Sequence, residues 1–176
     1  MKKIFTIPNI LSLFRICLVP LIIYIYLFTE LNILAGCLIV LSGLTDIIDG
    51  YIARHFNQIS DLGKILDPFA DKLTLISVLA CSIIKNFSLI ILLGAEIIKD
   101  IIVLITSYIR TKKSNKVHSA SWYGKVCTCL SYVTVMLHIF WKEISETVSA
   151  PIIIVVSTII ILFGILYGID NISRED

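Results

Sequence analysis

Four aspartates lie in two pairs in an otherwise apolar part of the chain. Asp46 and Asp49 are three positions apart, and Asp67 and Asp71 are four apart, so on helices each pair shares one face. The short connection makes the two helices antiparallel neighbours, and the four carboxylates can then converge. Carboxylates that face each other repel unless a cation lies between them. The spacing therefore predicts a divalent-metal site.

The types of ligand atom limit which metal ions can bind and which reactions they can support. The cluster contains no His or Cys, and oxygen-only ligands favour Mg²⁺, Mn²⁺ or Ca²⁺ over zinc. A site with two such ions can hold a diphosphate and neutralise a leaving group. Gly50 and Ala53 follow Asp46 at one-turn intervals and keep this face shallow for a ligand, although tight packing between membrane helices is an alternative use of small residues.

A purely structural role for the aspartates is the main alternative. Asp67 precedes Pro68, so it could cap the start of a helix that has proline in its first position. The aspartates of the first pair could form ion pairs with Arg54 or Lys72. Either explanation would account for one carboxylate, but four at these spacings with neighbouring glycines favour a functional site.

The rest of the chain indicates that lipid is the solvent. Of the 176 residues, 57% are hydrophobic and 16% are charged, whereas roughly 45–50% of a soluble domain is apolar. Six apolar segments approach the ~20 residues that cross a bilayer as a helix. We therefore expect an all-α, polytopic membrane protein with six transmembrane helices in a single domain, residues 1–176. The segments cover residues 8–28, 32–52, 68–85, 88–110, 122–141 and 150–169.

Basic residues are distributed unevenly between the two sides of these segments. One side holds only Lys85 and Lys142. An excess of Lys and Arg marks the cytoplasmic side, which predicts that both termini and the aspartates face the cytoplasm, in the cell membrane. The residues on that side are Lys2, Lys3, Arg54, Lys64, Arg110, Lys112, Lys113, Lys116 and Arg174.

A few charged residues lie deeper, within the apolar segments. Arg15 is in the first segment, and Lys99 and Asp100 are adjacent in the fourth. Such side chains either extend toward the membrane surface or form internal ion pairs.

The string from Asp46 to Asp71 reads Asp-x2-Asp-Gly-x2-Ala-Arg-x8-Gly-x3-Asp-x3-Asp. It resembles the signature of the CDP-alcohol phosphotransferase family at every position. The resemblance implies a six-helix membrane enzyme that displaces CMP from a CDP-linked alcohol with two bound Mg²⁺ or Mn²⁺ ions. It also implies that Asp46, Asp49 and Asp67 bind metal, with Asp71 near the metals as the base on the acceptor hydroxyl. The implied CDP-binding residues are Asp46, Asp49, Gly50, Ala53, Arg54 and Gly63.

Other stretches narrow the resemblance within the family. Residues 7–15 and 19–20 resemble the opening of bacterial phosphatidylglycerophosphate synthases, and Lys99-Asp100 and Gly124-Lys125 resemble an Arg-Glu and a Gly-Lys pair there. This implies transfer of the phosphatidyl group of CDP-diacylglycerol to glycerol 3-phosphate. Arg110 and Lys125, at helix ends, are the candidates for binding the acceptor phosphate. The expected partners are the two substrates, the lipid bilayer and, in a homodimer, a second copy of the chain, with no nucleic acid.

Three other functions remain open at this point. A CMP-forming cardiolipin synthase would use the same chemistry with phosphatidylglycerol as the acceptor. An aspartate-rich membrane prenyltransferase also uses a metal-bound diphosphate, although more helices and an Asn-Asp-led motif would be expected. A small transporter or scaffold could bind a cation without catalysis, but it would not require Gly50, Ala53 and Gly63.

Overall fold

The computed structural model describes residues 6–55, 63–114, 122–141 and 144–173, and within these ranges the regular structure is entirely helical. This confirms the all-α prediction. A short 3₁₀ helix, Phe87–Leu89, precedes the fourth α-helix. The α-helices are α1 (Ile7–Phe28), α2 (Asn32–His55), α3 (Gly63–Lys85), α4 (Ile90–Ser114), α5 (Trp122–Phe140) and α6 (Glu146–Ser173).

The helices extend beyond several of the predicted apolar segments. α3 begins at Gly63, so Pro68 lies inside the helix. Asp67 is therefore not an N-cap, and the capping alternative is wrong. In the described part of the chain, four stretches are long and apolar enough to cross a membrane, whereas charged side chains interrupt α3 and α4. The four stretches are Pro8–Phe28, Asn32–Gly50, Trp122–Phe140 and Glu146–Asp170.

Large apolar side chains cover the outer surfaces of the helices. Phe28 is 74% exposed, Ile33 70%, Ile84 72% and Leu104 68%, and many other Ile, Leu and Val side chains are exposed in the same way. A soluble monomer rarely presents so much apolar surface to water. These surfaces are suited to lipid, as expected for a membrane protein.

Two compact units make up the chain, residues 1–82 and 83–176. In the first unit, the start of α1 is well defined: the Thr6 side chain accepts a hydrogen bond from the Asn9 amide at 3.4 Å, and Pro8 lies in the first turn. Three residues separate the end of α1 from Asn32, at the start of α2. Such a short link makes α1 and α2 antiparallel neighbours, and the two helices pack together.

The buried face of α1 changes character along its length. Its first half buries Ser12 and Arg15, and its second half buries Leu18, Ile22 and Tyr26. The deep part of the unit is thus a conventional apolar interface. The end that contains the start of α1 is polar, and it is also the end where α2 finishes and α3 begins.

In the second unit, a row of small and apolar residues on α6, here called the seam, packs against α4 and the other helices of the unit. At Gly164 an added Cβ would lie 3.0 Å from the Lys99 Cγ, and at Gly168 it would lie 3.2 Å from Ile102 and Thr106 methyl carbons on α4. Small residues spaced by four let two membrane helices approach closely. The seam consists of Ser149, Ile153, Ser157, Ile160, Gly164 and Gly168.

A buried ion pair lies on α4 of this unit. Glu96 is 4% exposed and Lys99 is 3% exposed. The Lys99 ammonium donates to the Glu96 carboxylate and lies 3.4 Å from Asp100, and the Ser131 hydroxyl of α5 donates to Glu96. Of the two alternatives for Lys99, the structure shows the internal ion pair, with Glu96, one turn earlier on the helix, as its hydrogen-bonded partner.

Replacement of Glu96 by Ala should lower the stability of the protein. The change leaves the Lys99 ammonium buried without its hydrogen-bonded carboxylate, and breaking a buried pair in this way costs about 3–5 kcal/mol. Thermal unfolding in detergent should therefore show a clear drop in the midpoint for Glu96→Ala. Glu146→Ala, which removes an exposed carboxylate from the first turn of α6, is the control and should change little. Equal midpoints for the two variants would contradict this role of Glu96.

Candidate functional site

Three of the four predicted aspartates converge on Arg15, a residue of α1 that is 1% exposed. Its Nη1 donates to Asp46 Oδ1 at 2.7 Å and also to the Asp71 carboxylate, and its Nη2 donates to Asp49 Oδ2 at 2.5 Å. The guanidinium therefore joins α1 to both aspartate-bearing helices. The internal ion pair that the sequence left as one alternative for Arg15 is confirmed.

The fourth aspartate is held one turn earlier on α1. The Ser12 hydroxyl lies within hydrogen-bonding distance of the Asp67 carboxylate and 2.9 Å from the Pro8 carbonyl oxygen. Ser12 is completely buried. Since a hydroxyl can turn its single proton toward either acceptor, it can hold Asp67 or release it without moving the helix.

The cluster is closed on one side and open on the other. The side chain of Asp49 is 2% exposed, whereas those of Asp46 and Asp71 are 41% and 39% exposed. The buried carboxylate forms the floor, and the two partly exposed carboxylates lie at the opening. A ligand can therefore reach the cluster past Asp46 and Asp71.

The other residues that were predicted to bind the CDP nucleotide lie on α2 and α3. Gly50 follows Asp49 on α2 and is half-buried, and Gly63 is the buried first residue of α3. Ala53 and Arg54 belong to the last turns of α2, but their side chains lie outside the described part of the structure.

The two candidates for binding the acceptor phosphate belong to the second unit. Arg110 is half-buried, one turn before the end of α4, and Lys125 is exposed in the first turn of α5. Arg110 is therefore in the body of its helix rather than at its end.

Sequence reasoning missed the role of Ser12 and did not assign a partner to Arg15. The structure pairs Asp46 and Asp49 with Arg15. One signal was available, because Asn9, Ser12 and Arg15 recur every three positions in an apolar helix and so share a polar face.

The charge and the donor types of the cluster suit a divalent cation, although with Arg15 among them no three of the described His, Cys, Asp or Glu side chains are arranged to share one ion. Four carboxylates and one guanidinium leave these side chains with a net formal charge of −3 around a buried floor, and such an excess of negative charge favours the binding of further cations. The available donors are carboxylate oxygens, the ligands that Mg²⁺ and Mn²⁺ prefer. The guanidinium meets the demand only in part, and its buried Nε has no hydrogen-bond partner.

Comparison with known proteins agrees with this chemistry. Residues 5–167 match the CDP-alcohol phosphatidyltransferase family. The chain is 40% identical over 124 residues to a CDP-diacylglycerol–glycerol-3-phosphate 3-phosphatidyltransferase from Aquifex aeolicus, covering 69% of this chain and 68% of the relative.

Cardiolipin synthases are also similar to this chain, over shorter regions. The CMP-forming enzyme of Homo sapiens is 51% identical over 79 residues, which are 44% of this chain and 26% of that enzyme. A Schizosaccharomyces pombe fusion of cardiolipin synthase with a mitochondrial hydrolase is 36% identical over 112 residues, 63% of this chain. The chain spans only 19% of the length of that fusion protein.

The family match includes both aspartate-bearing helices and all of α4 and α5. Members of the family act on CDP-linked alcohols and generally depend on a divalent metal. The matched region and the aspartate string agree with each other, and four of the described helices could cross a membrane. The chain therefore belongs to the CDP-alcohol phosphatidyltransferase family.

Proposed function

We propose that the protein transfers the phosphatidyl group of CDP-diacylglycerol to glycerol 3-phosphate, releasing CMP and forming phosphatidylglycerophosphate. The observation that carries this choice is the similarity to the Aquifex aeolicus phosphatidyltransferase, because it extends over more than two thirds of both chains. The geometry of the four aspartates supports the transfer chemistry, whichever alcohol accepts the phosphatidyl group.

The proposed setting is the cell membrane, with six spans and both termini in the cytoplasm. The start of α1, the end of α2 and the start of α3 would then lie at the cytoplasmic boundary. The excess of Lys and Arg in the connections on that side supports this orientation. A water-soluble phosphate ester could enter past Asp46 and Asp71, while the diacyl chains of the donor remain in lipid.

In the proposed reaction, Asp71 accepts the proton of the acceptor hydroxyl. The acceptor oxygen bonds to the phosphatidyl phosphorus, and the bond from that phosphorus to the bridging oxygen breaks, so that CMP leaves with the electron pair. Asp46, Asp49 and Asp67 would hold the divalent ions together with Asp71. When bound, those ions supply electrostatic stabilisation of the diphosphate and of the leaving group.

The remaining residues have proposed roles in binding. Gly50, Ala53, Arg54 and Gly63 would line the CDP site, where small residues allow the nucleotide to approach the helices closely. That Arg110 and Lys125 bind the phosphate of the acceptor stays a prediction from the sequence. A homodimer, and the organisation of residues 1–176 as one domain, stay predictions.

Cardiolipin synthesis is the second candidate. It is favoured by the 51% identity to the human enzyme, which is higher than the identity to the Aquifex aeolicus enzyme but extends over fewer residues. In that case phosphatidylglycerol would replace glycerol 3-phosphate as the acceptor. The family match disfavours the two remoter functions, the prenyltransferase and the non-catalytic cation binder.

The acceptor can be tested with purified enzyme in detergent. With CDP-diacylglycerol and Mn²⁺ present, glycerol 3-phosphate should give CMP and phosphatidylglycerophosphate, at least about 100-fold faster than phosphatidylglycerol gives cardiolipin. Thin-layer separation of the labelled lipids identifies the product. The reverse preference would establish the second candidate, and no CMP release with either acceptor would contradict both.

The base is tested by Asp71→Asn. The amide keeps the size of the side chain but cannot take the hydroxyl proton, so we expect CMP release to fall by about 10²–10⁴-fold while the protein keeps its helical circular dichroism spectrum. Glu30→Gln, the same kind of change at an exposed position between α1 and α2, should leave the rate unchanged. Substantial turnover by Asp71→Asn would show that another group acts as the base.

A further inference from the structure

The Arg15 guanidinium lies among the carboxylates that would bind metal, and it contacts three of the four. Its two terminal nitrogens reach Asp46, Asp49 and Asp71, which come from two different helices. Within residues 6–55, 63–114, 122–141 and 144–173, no three His, Cys, Asp or Glu side chains are arranged to share one metal ion. The Arg15 guanidinium is a cation that Asp46, Asp49 and Asp71 share.

The charges make the guanidinium and a metal competitors. Both are cations that require the same carboxylate oxygens, and two positive centres in one buried cluster repel each other. The guanidinium is also an incomplete fit, because its Nε is buried without a hydrogen-bond partner. Its departure from the carboxylates would therefore give up three ion pairs but would free this nitrogen to find a partner.

We propose that Arg15 is a built-in counter-ion of the metal-free enzyme, and that divalent metal binds by displacing its guanidinium from the aspartates. Arg15 then has two opposing effects. It stabilises the metal-free protein, because it joins α1 to α2 and α3 and limits repulsion among the carboxylates. It weakens metal binding, because each ion must first break the Arg15 pairs.

This inference rests on the proposed metal-dependent function and concerns the state of the site before metal binds. Without a cation, the clustered carboxylates would repel one another at this end of the helices whenever metal is scarce. The start of α1, fixed by the Thr6 cap, places the guanidinium where it prevents this. Arg15 is thus a positioning residue for metal binding and is not assigned a chemical step.

Arg15→Gln tests the proposal through the binding of Mn²⁺ alone, with no lipid substrate. Removal of one positive charge beside the carboxylates should lower the Mn²⁺ dissociation constant on the order of tenfold or more, measured in detergent by titration calorimetry or by the electron paramagnetic resonance of free Mn²⁺. The same variant should unfold at a lower temperature than wild type without metal. Saturating Mn²⁺ should raise the midpoint of the variant more than that of wild type.

Two further variants separate an effect on Mn²⁺ binding from a general loss of stability. Lys99→Gln removes another buried, ion-paired cation, from α4, so it should lower thermal stability without tightening Mn²⁺ binding. Arg15→Lys keeps the charge but has a single donor group, so its Mn²⁺ affinity should lie between those of wild type and Arg15→Gln. Unchanged or weaker Mn²⁺ binding by Arg15→Gln would overturn the proposal. Failure of both Arg15 variants to fold even with Mn²⁺ would also overturn it, because metal could not then replace the guanidinium.

The test separates this inference from the proposed function. CMP release from CDP-diacylglycerol by the wild-type enzyme examines the function, whereas Mn²⁺ affinity and thermal midpoints examine Arg15. If wild type is inactive but Arg15→Gln binds Mn²⁺ more tightly, the proposed function fails and the role of Arg15 stands. If wild type releases CMP but wild type and Arg15→Gln bind Mn²⁺ with equal affinity, the proposed function stands and the role of Arg15 fails.

Discussion

Repulsion among four carboxylates at one end of a membrane helix bundle is the constraint that organises the first unit. Like charges this close together, with Asp49 fully buried, require a cation. In the structure, Arg15 supplies it to Asp46, Asp49 and Asp71, while Ser12 holds Asp67. The polar first half of α1 makes these contacts. The apolar second half packs against the rest of the unit and holds the helix in place.

The second unit also contains buried charged side chains, but they are neutralised in a different way. Lys99 and Glu96 neutralise each other within α4, with Ser131 completing the carboxylate hydrogen bonds. Gly164 on α6 provides the room, because a larger residue would meet the Lys99 side chain. Glu96 and Lys99 neutralise each other within one helix, and nearby Asp100 leaves this group with a single net negative charge. The aspartate cluster instead depends on a cation from a different helix and keeps a net formal charge of −3. The larger excess of carboxylates makes the aspartate cluster the better match to a divalent cation.

The helices were largely predictable from local patterns. Runs of about 20 apolar residues define α1, α2 and α5 closely, because backbone hydrogen bonds must be satisfied internally in lipid. The start of α3 was less predictable: apolar content suggested residue 68, but the helix begins at Gly63 and includes Lys64 and Asp67. Helix formation continues beyond the apolar segment, because charged residues at the membrane boundary can be helical. Hydropathy marks the lipid-facing part of a helix and not its ends.

The sequence by itself determined the kind of site: carboxylates at helical spacing beside small residues in a chain too apolar for water. Periodicity is local, so it shows which residues of one helix share a face. The tertiary structure alone decided that Arg15 and Ser12 are the partners of those carboxylates and that Asp49 is buried while Asp46 and Asp71 are open. These contacts depend on the rotation and register of α1 against α2 and α3, which arise from the Thr6 cap, the short link and the packing of the whole face, and no single stretch of sequence encodes them.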